Sequence, residues 1–208
     1  MTSLYLISPT NINVKSFPFL LEKIFKASTN IGAFQLRLKD QSYQDILSIS
    51  KVLLKVCSDY NVPFYINDHY NLADDLAIDG IHIGQNDGDI ASIIKHYKNH
   101  FKIGVSCMNS LGLAIDAKNS GANYVSFGAF FPTKTKENTK HATLDILQSW
   151  RALNNDTPCS AIGGINLNNI EKIISFKPEY ICLISAIWAQ NDPIIAAKQL
   201  DDILIRNL

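Results

Sequence analysis

The chain predicts an α/β protein, a single-domain (β/α)8 barrel over residues 1–208. Three observations carry this. Eight short apolar or β-rich runs can be read along the 208 residues. Their starts fall about 25 residues apart, too wide for the roughly 8–12-residue rhythm of hairpins and suited to strand–helix units. The intervals between them carry helical periodicity or have helix length, and the total fits one domain at the lower size limit of such a barrel. A doubly wound open sheet has the same rhythm and stands as the alternative.

The first run, Leu4–Ile7, ends at the turn-forming Ser8-Pro9-Thr10-Asn11. The second, Ala33–Leu36, continues as Arg37-Leu38-Lys39, so a period of two points Gln35, Arg37 and Lys39 to one side and Leu36 and Leu38 to the other. In the next interval Ile46, Ile49, Leu53 and Val56 share a helical face. The third run, Pro63–Ile66, ends in Asn67-Asp68, and the fourth, Gly80–Ile83, passes through His82 into Gly84-Gln85-Asn86-Asp87, ahead of a helix through Ile93 and Ile94. The fifth, Lys102–Val105, ends at Ser106. The sixth, Tyr124–Phe127, leads to Thr133-Lys134-Thr135-Lys136, and the polar stretch Lys134 to His141 reads as a mobile loop before the next helix. The seventh, Cys159–Ile162, ends in Gly163-Gly164, and the eighth, Tyr180–Ile184, in Ser185. Asp192-Pro193 then places a capping residue before a proline at the first helical position, leading into Ile194, Ala197, Leu200 and Leu204.

Composition narrows the function. Hydrophobic residues make up 47%, with ten glycines and seven prolines, which excludes a disordered or collagen-like chain. Lys plus Arg and Asp plus Glu number 19 each, so no overall field favours nucleic acid or an anionic membrane, and any anion must be bound by local placement. Cys57, Cys107, Cys159 and Cys182 stand far apart with no C-x-x-C pair, as in a reduced cytoplasmic protein. The N-terminal residues have neither a basic lead nor a cleavage signal, so no export is expected. Tyr180 to Ala189 is about half the roughly 20 residues of a membrane helix and reads as a core strand running into a loop. A soluble, cytoplasmic protein without nucleic-acid or membrane partners is expected, and homo-oligomer formation is left open.

In a barrel the loops after the strands converge on one mouth, and the unusual polar residues of this chain stand there. Singly, each has an ordinary reading: Arg37 and Lys39 a solvated edge, Asn67-Asp68 and Asp87 helix caps, Gly163-Gly164 a tight turn. His96 and His100 have metal-ligand spacing but no accompanying Glu, and read as solvated. Together, three cations (Arg37, Lys39 and Lys136) suit a polyanion such as a diphosphate, and Asp68 and Asp87 suit Mg²⁺ beside substrate phosphates. Gly163-Gly164 and Ser185 stand at the strand-seven and strand-eight ends, where barrels often build a phosphate site.

The motifs Gln35-Leu36-Arg37-Leu38-Lys39, Asn67-Asp68, Asp79 to Asp87, Gly104-Val105-Ser106, Phe127 to Lys136, Ala161 to Ile165 and Ile184-Ser185-Ala186-Ile187 follow one another in the order of the thiamine phosphate synthases, a family the chain resembles over nearly its whole length. The resemblance implies a (β/α)8 barrel that joins hydroxymethylpyrimidine diphosphate to thiazole phosphate. It implies that Gln35 holds the pyrimidine; that Arg37, Lys39, Asn67 and Lys136 grip the diphosphate; and that Asp68 and Asp87 bind Mg²⁺. Ser106 would sit by the departing diphosphate, with Ser106 and Lys136 as the catalytic residues, while Thr133, Thr135, Gly164 and Ser185 would receive the thiazole phosphate and Ile184 would also bind substrate. The chain departs from the family pattern at Leu38, where Glu is common, at Asn86, where an acid is usual, and at Cys107-Met108-Asn109 in place of Ala-His-Thr. Two other functions share these features: a thiazole tautomerase of the same superfamily, and a non-catalytic phosphate-binding barrel. Met108 stands where a tautomerase would need a proton-carrying histidine, which favours the synthase. His82 lies inside a strand and reads as structural.

Overall fold

The computed structural model describes residues 1–133, 141–153 and 156–207. Eight strands, β1 (Ser3–Ile7), β2 (Ile31–Leu36), β3 (Phe64–Asn67), β4 (Gly80–Ile83), β5 (Lys102–Met108), β6 (Tyr124–Phe127), β7 (Cys159–Ile162) and β8 (Tyr180–Leu183), form a closed parallel barrel in sequence order. Closure is made by β1 against β8, with Leu4 opposite Ile181 and Tyr5 opposite Cys182, and it excludes the open sheet. All eight expected runs are strands. The structure extends β2 two residues earlier, and carries β5 past Ser106 to Met108 through an irregularity in its pairing with β6.

Around the barrel run α1 (Phe17–Ala27), α2 (Tyr43–Asp59), α3 (Ile90–Tyr97), α4 (Leu111–Ser120), α5 (Asp145–Ala152), α6 (Ile170–Ile174), α7 (Ser185–Trp188) and α8 (Pro193–Arg206). The predicted face of α2 is buried at Ile46, Ile49 and Leu53, and the start of the helix is fixed by the Ser42 side chain accepting from the Asp45 N–H. Asp192 caps α8 through bonds from the Ile194 and Ile195 N–H groups, and Ala197, Leu200 and Leu204 are buried as the periodicity requires. Two expectations need correction. After β3 the chain makes only a 3-10 helix, Tyr70–Asp74, and the stretch expected to leave β8 as a loop forms the short α7, whose Trp188 donates from Nε1 to the Ile7 carbonyl at 2.7 Å. No helix among the described residues is long and apolar enough to cross a membrane.

Strand alternation separates two apolar layers. Leu4, Leu6, Phe34, Leu36, Phe64, Ile66, Ile81, Ile83, Val105 and Ile181 join the large cluster between sheet and helices. Tyr5, Ile7, Ala33, Tyr65, Tyr124 and Cys182 fill the barrel interior. The interior is matched in size across neighbouring strands. Gly80 lies against the Tyr65 ring and Gly104 against the Tyr124 ring, and a Cβ at either glycine would collide with that ring. Glycine on one strand thus makes room for tyrosine on its neighbour, and Tyr5, Tyr65, Tyr124 and Tyr180 pack with ring centroids 5.6–6.0 Å apart.

All four cysteines are free and buried. Burial pushes the Cys107, Cys159 and Cys182 thiols up to about 12, and Cys57 is raised further by burial and by Asp79. At pH 8 the thiolate fraction at the first three would be about one in ten thousand. Folded protein should therefore leave a thiol-reactive dye unconsumed over minutes and titrate four thiols only on denaturation. Fast reaction of the folded protein would mean that a cysteine is accessible and activated.

Candidate active site

A cavity of about 260 Å³ opens at the C-terminal ends of the strands and receives side chains from all eight. Every site residue expected from the sequence that falls among the described residues lines it: Gln35, Arg37, Lys39, Asn67, Asp68, Asp87, Ser106, Thr133, Gly164, Ile184 and Ser185. Thr135 and Lys136 lie outside the described residues, as does the rest of the expected loop Lys134 to His141 apart from His141.

The β2 contribution follows from alternation. Gln35, Arg37 and Lys39 face the cavity, while Leu38 is buried in the outer cluster at 9% exposure. The alternation persists beyond the strand's last residue because the Arg37 N–H donates to Ser8 Oγ at 2.8 Å, holding the segment against the end of β1. Leu38 in place of a charge is thus a packing residue and leaves the cationic face intact. Gln35 is buried at the cavity floor, Arg37 half-buried, and Lys39 exposed at the rim.

Neither carboxylate is a helix cap. Asp68 directly follows β3 with a positive φ of 63°, a left-handed conformation uncommon outside glycine, asparagine and aspartate, and its N–H donates to the His82 carbonyl at 3.0 Å. Asp87 Oδ2 accepts from the Gly84 N–H at 2.6 Å within its own loop, and the cap of α3 is Asp89, which accepts from the Ala91 N–H. The capping expectation for Asp87 is therefore off by two residues. Among the described residues no cluster of three or more His, Cys, Asp or Glu side chains is poised for a metal. Two carboxylates opening on one cavity do match the donor set of Mg²⁺, which takes one or two from the protein and completes its shell with substrate oxygens and water.

Across the mouth, Gly163 and Gly164 have φ of 101° and 67°. A Cβ on Gly164 would lie 2.5 and 2.6 Å from the Pro132 and Phe131 carbonyl oxygens. The segment after β6 is stitched to this turn, with the Phe130 and Phe131 N–H groups donating to the Ile162 and Gly163 carbonyls at 3.2 and 3.0 Å. Only glycine lets the two backbones come this close. Ile184 and Ser185, at the start of α7, complete this side of the mouth.

The sequence reading missed the floor. Tyr5, Tyr124 and His82 line the cavity, all buried, and His82 is more than a packing residue: Nδ1 lies 2.8 Å from Tyr124 Oη and Nε2 lies 2.9 Å from Ser106 Oγ. Burial raises the Tyr5 and Tyr124 phenols well above their ordinary value, so both are neutral hydroxyls. Inward-facing tyrosine and histidine could be suspected from strand period alone, but which of them meet across the barrel depends on its closure. His96 and His100 are exposed, as expected.

Fold and site together define a class: a parallel (β/α)8 barrel whose mouth combines cationic and carboxylate side chains with a glycine turn, suited to phosphorylated small molecules. The family model described as thiamine monophosphate synthase matches residues 4–187, and the chain belongs to that family. A thiamine-phosphate synthase of Pelagibacter ubique is 41% identical over 88% of this chain and 87% of its own length, and one of Erythrobacter litoralis is 34% identical over 92% and 90%. Among solved structures, the thiamine phosphate pyrophosphorylase of Pyrococcus furiosus superposes with a TM-score of 0.85 at 27% identity, covering 99% of this chain and 96% of that one.

Proposed function

We propose that the chain, as one domain over residues 1–208, condenses hydroxymethylpyrimidine diphosphate with thiazole phosphate to give thiamine phosphate and diphosphate. The observation that carries the reading is the convergence of Arg37, Lys39, Asn67, Asp68 and Asp87 on one cavity above Gln35 and Ser106. That is the complement of a heterocycle bearing a diphosphate. In this reading Gln35 holds the pyrimidine, and Arg37 and Lys39 pair with diphosphate oxygens, joined by Asn67 and, on the family resemblance, Lys136. Asp68 and Asp87 would hold Mg²⁺, whose charge offsets that of a departing diphosphate. Thr133, Gly164, Ile184 and Ser185, with Thr135 on the resemblance, receive the thiazole phosphate.

The bond changes are few. The carbon–oxygen bond to the diphosphate breaks, the electron pair leaves on oxygen, and the pyrimidine-stabilised cation is trapped by the thiazole nitrogen. No proton need be removed, which suits a site built for leaving-group stabilisation and positioning. Ser106 donates to the departing anion, and Arg37 and Lys39 neutralise it.

The test is to give purified protein both substrates with and without Mg²⁺ and follow products by mass. Thiamine phosphate formed only with the metal is expected. Isomerisation of a thiazole carboxylate phosphate without thiamine phosphate would overturn the reading in favour of a tautomerase, and no product from either set in favour of a non-catalytic barrel.

A further inference from the structure

Five side chains from five strands form one continuous hydrogen-bonded chain across the cavity floor. Gln35 Nε2 donates to Tyr5 Oη at 3.2 Å, Tyr5 and Tyr124 share a bond of 2.9 Å, Tyr124 Oη meets His82 Nδ1 at 2.8 Å, and His82 Nε2 meets Ser106 Oγ at 2.9 Å. Gln35, Tyr5 and Tyr124 are at most 3% exposed and His82 is 9% exposed, so water does not compete for these bonds from the protein side.

Proton counting orients the chain. With the Gln35 amide donating and the imidazole neutral, the arrangement in which every hydroxyl passes its proton along the chain sends the Tyr5 proton to Tyr124 and the Tyr124 proton to His82 Nδ1. That leaves the imidazole as its Nε2–H tautomer, donating to Ser106 Oγ. Ser106 then accepts from the imidazole and keeps its own O–H to donate to a ligand in the cavity that it lines. At the other end, Gln35 spends one of its two amide N–H groups on Tyr5, which fixes the amide plane and keeps Oε1, the group's acceptor, out of that bond and free for a ligand.

We propose that Tyr5, Tyr124 and His82 are positioning residues that set the polarity of both ends of the site at once: a hydrogen-bond acceptor at Gln35, selecting a pyrimidine that presents an amino donor over one that presents an oxo group, and a hydrogen-bond donor at Ser106 for the leaving anion. The assignment of ligands to the two ends rests on the synthase reading above. The direction of the hydrogen bonds rests instead on the Gln35 amide turning Nε2 toward Tyr5 Oη.

The physical consequence is coupling. Each hydroxyl has one proton, so a ligand that flipped the Gln35 amide, setting Oε1 against Tyr5, would reverse the bonds along the chain and turn the Ser106 hydroxyl away from the diphosphate. A site of this kind rejects the mismatched heterocycle at binding and also at bond breaking.

Two measurements test this. The first is the ¹⁵N spectrum of histidine-labelled wild-type protein, with His82 assigned by its loss in His82→Phe. An unprotonated Nδ1 and a protonated Nε2 are expected, and an Nδ1–H tautomer would overturn the proposal without recourse to any assay or to the stability of a variant. The second compares amino- and oxo-pyrimidine diphosphates as substrates. Wild type should prefer the amino form in kcat/KM by about a thousandfold or more, because a committed acceptor is left unpaired by the wrong partner. Tyr5→Phe, which frees the Gln35 amide to turn, should lower that preference by about tenfold or more. Tyr124→Phe should lose the single tautomer and reduce kcat more than KM is raised. An unchanged preference in Tyr5→Phe, or a wild type that takes both pyrimidines equally, would also overturn it. Absence of thiamine phosphate from wild type would strike the synthase reading instead, and the spectrum would still decide the orientation.

Discussion

Replacing Asp87 or Asp68 with Ala should lower thiamine phosphate formation by about 100-fold or more, the scale at which a group stabilising developing charge is lost. Stability should change little in Asp87→Ala. Asp87 bonds only within its own loop in the described contacts, to the Gly84 N–H, while the cap of α3 belongs to Asp89. The Asp89→Ala variant supplies the control: it should cost about 1 kcal/mol of stability, as cap removals do, with turnover near wild type. If Asp87→Ala instead melts early and keeps its activity, the carboxylate is structural. Titration with Mg²⁺ separates the two further. Each single variant should need more metal for half-maximal rate, and the double variant should show no metal dependence above background.

Much of this site was legible because strand period and strand ends are local properties. Gln35, Arg37 and Lys39 share a face because alternate residues must, and Leu38 goes to the outer core for the same reason. Asn67, Asp68, Asp87, Ser106, Gly164 and Ser185 were placed at the mouth by their positions after apolar runs. The tyrosine floor was not legible in the same way. Period assigns Tyr5, His82 and Tyr124 to the inner face, but their bonds cross between strands separated by 42 to 119 residues, and only closure and register decide which rings meet. The fit of Tyr65 over Gly80 and of Tyr124 over Gly104 has the same origin, since register sets each glycine opposite its ring. Capping failed on a finer scale. Asp87 and Asp89 are both plausible caps for α3, and the backbone at Asp89, extended with φ of −75° and ψ of 100°, takes the role.

The other large effect expected is at Gly164. Gly164→Ala adds one carbon in a backbone conformation of positive φ, which costs a non-glycine residue about 1–2 kcal/mol by itself. The added Cβ would also stand 2.5 and 2.6 Å from two backbone carbonyl oxygens, of Pro132 and Phe131, neither of which can rotate away as a side chain would. Relief requires the turn and the segment after β6 to separate, and their bonds from the Phe130 and Phe131 N–H groups to the Ile162 and Gly163 carbonyls resist that. The strain therefore falls on Thr133 and the Gly164 backbone, both on the side of the mouth assigned to the thiazole phosphate, while Arg37, Lys39, Asp68 and Asp87 stand on other strands. Gly164→Ala should raise KM for thiazole phosphate by about tenfold or more, as expected for a misplacement of roughly 1 Å, with the affinity for diphosphate and Mg²⁺ little changed. Calorimetric titration with diphosphate alongside steady-state kinetics in the second substrate checks the split. Equal losses at both ligands would mean that the two halves of the mouth move as one, and a KM at the wild-type value would remove the glycine turn from the phosphate site.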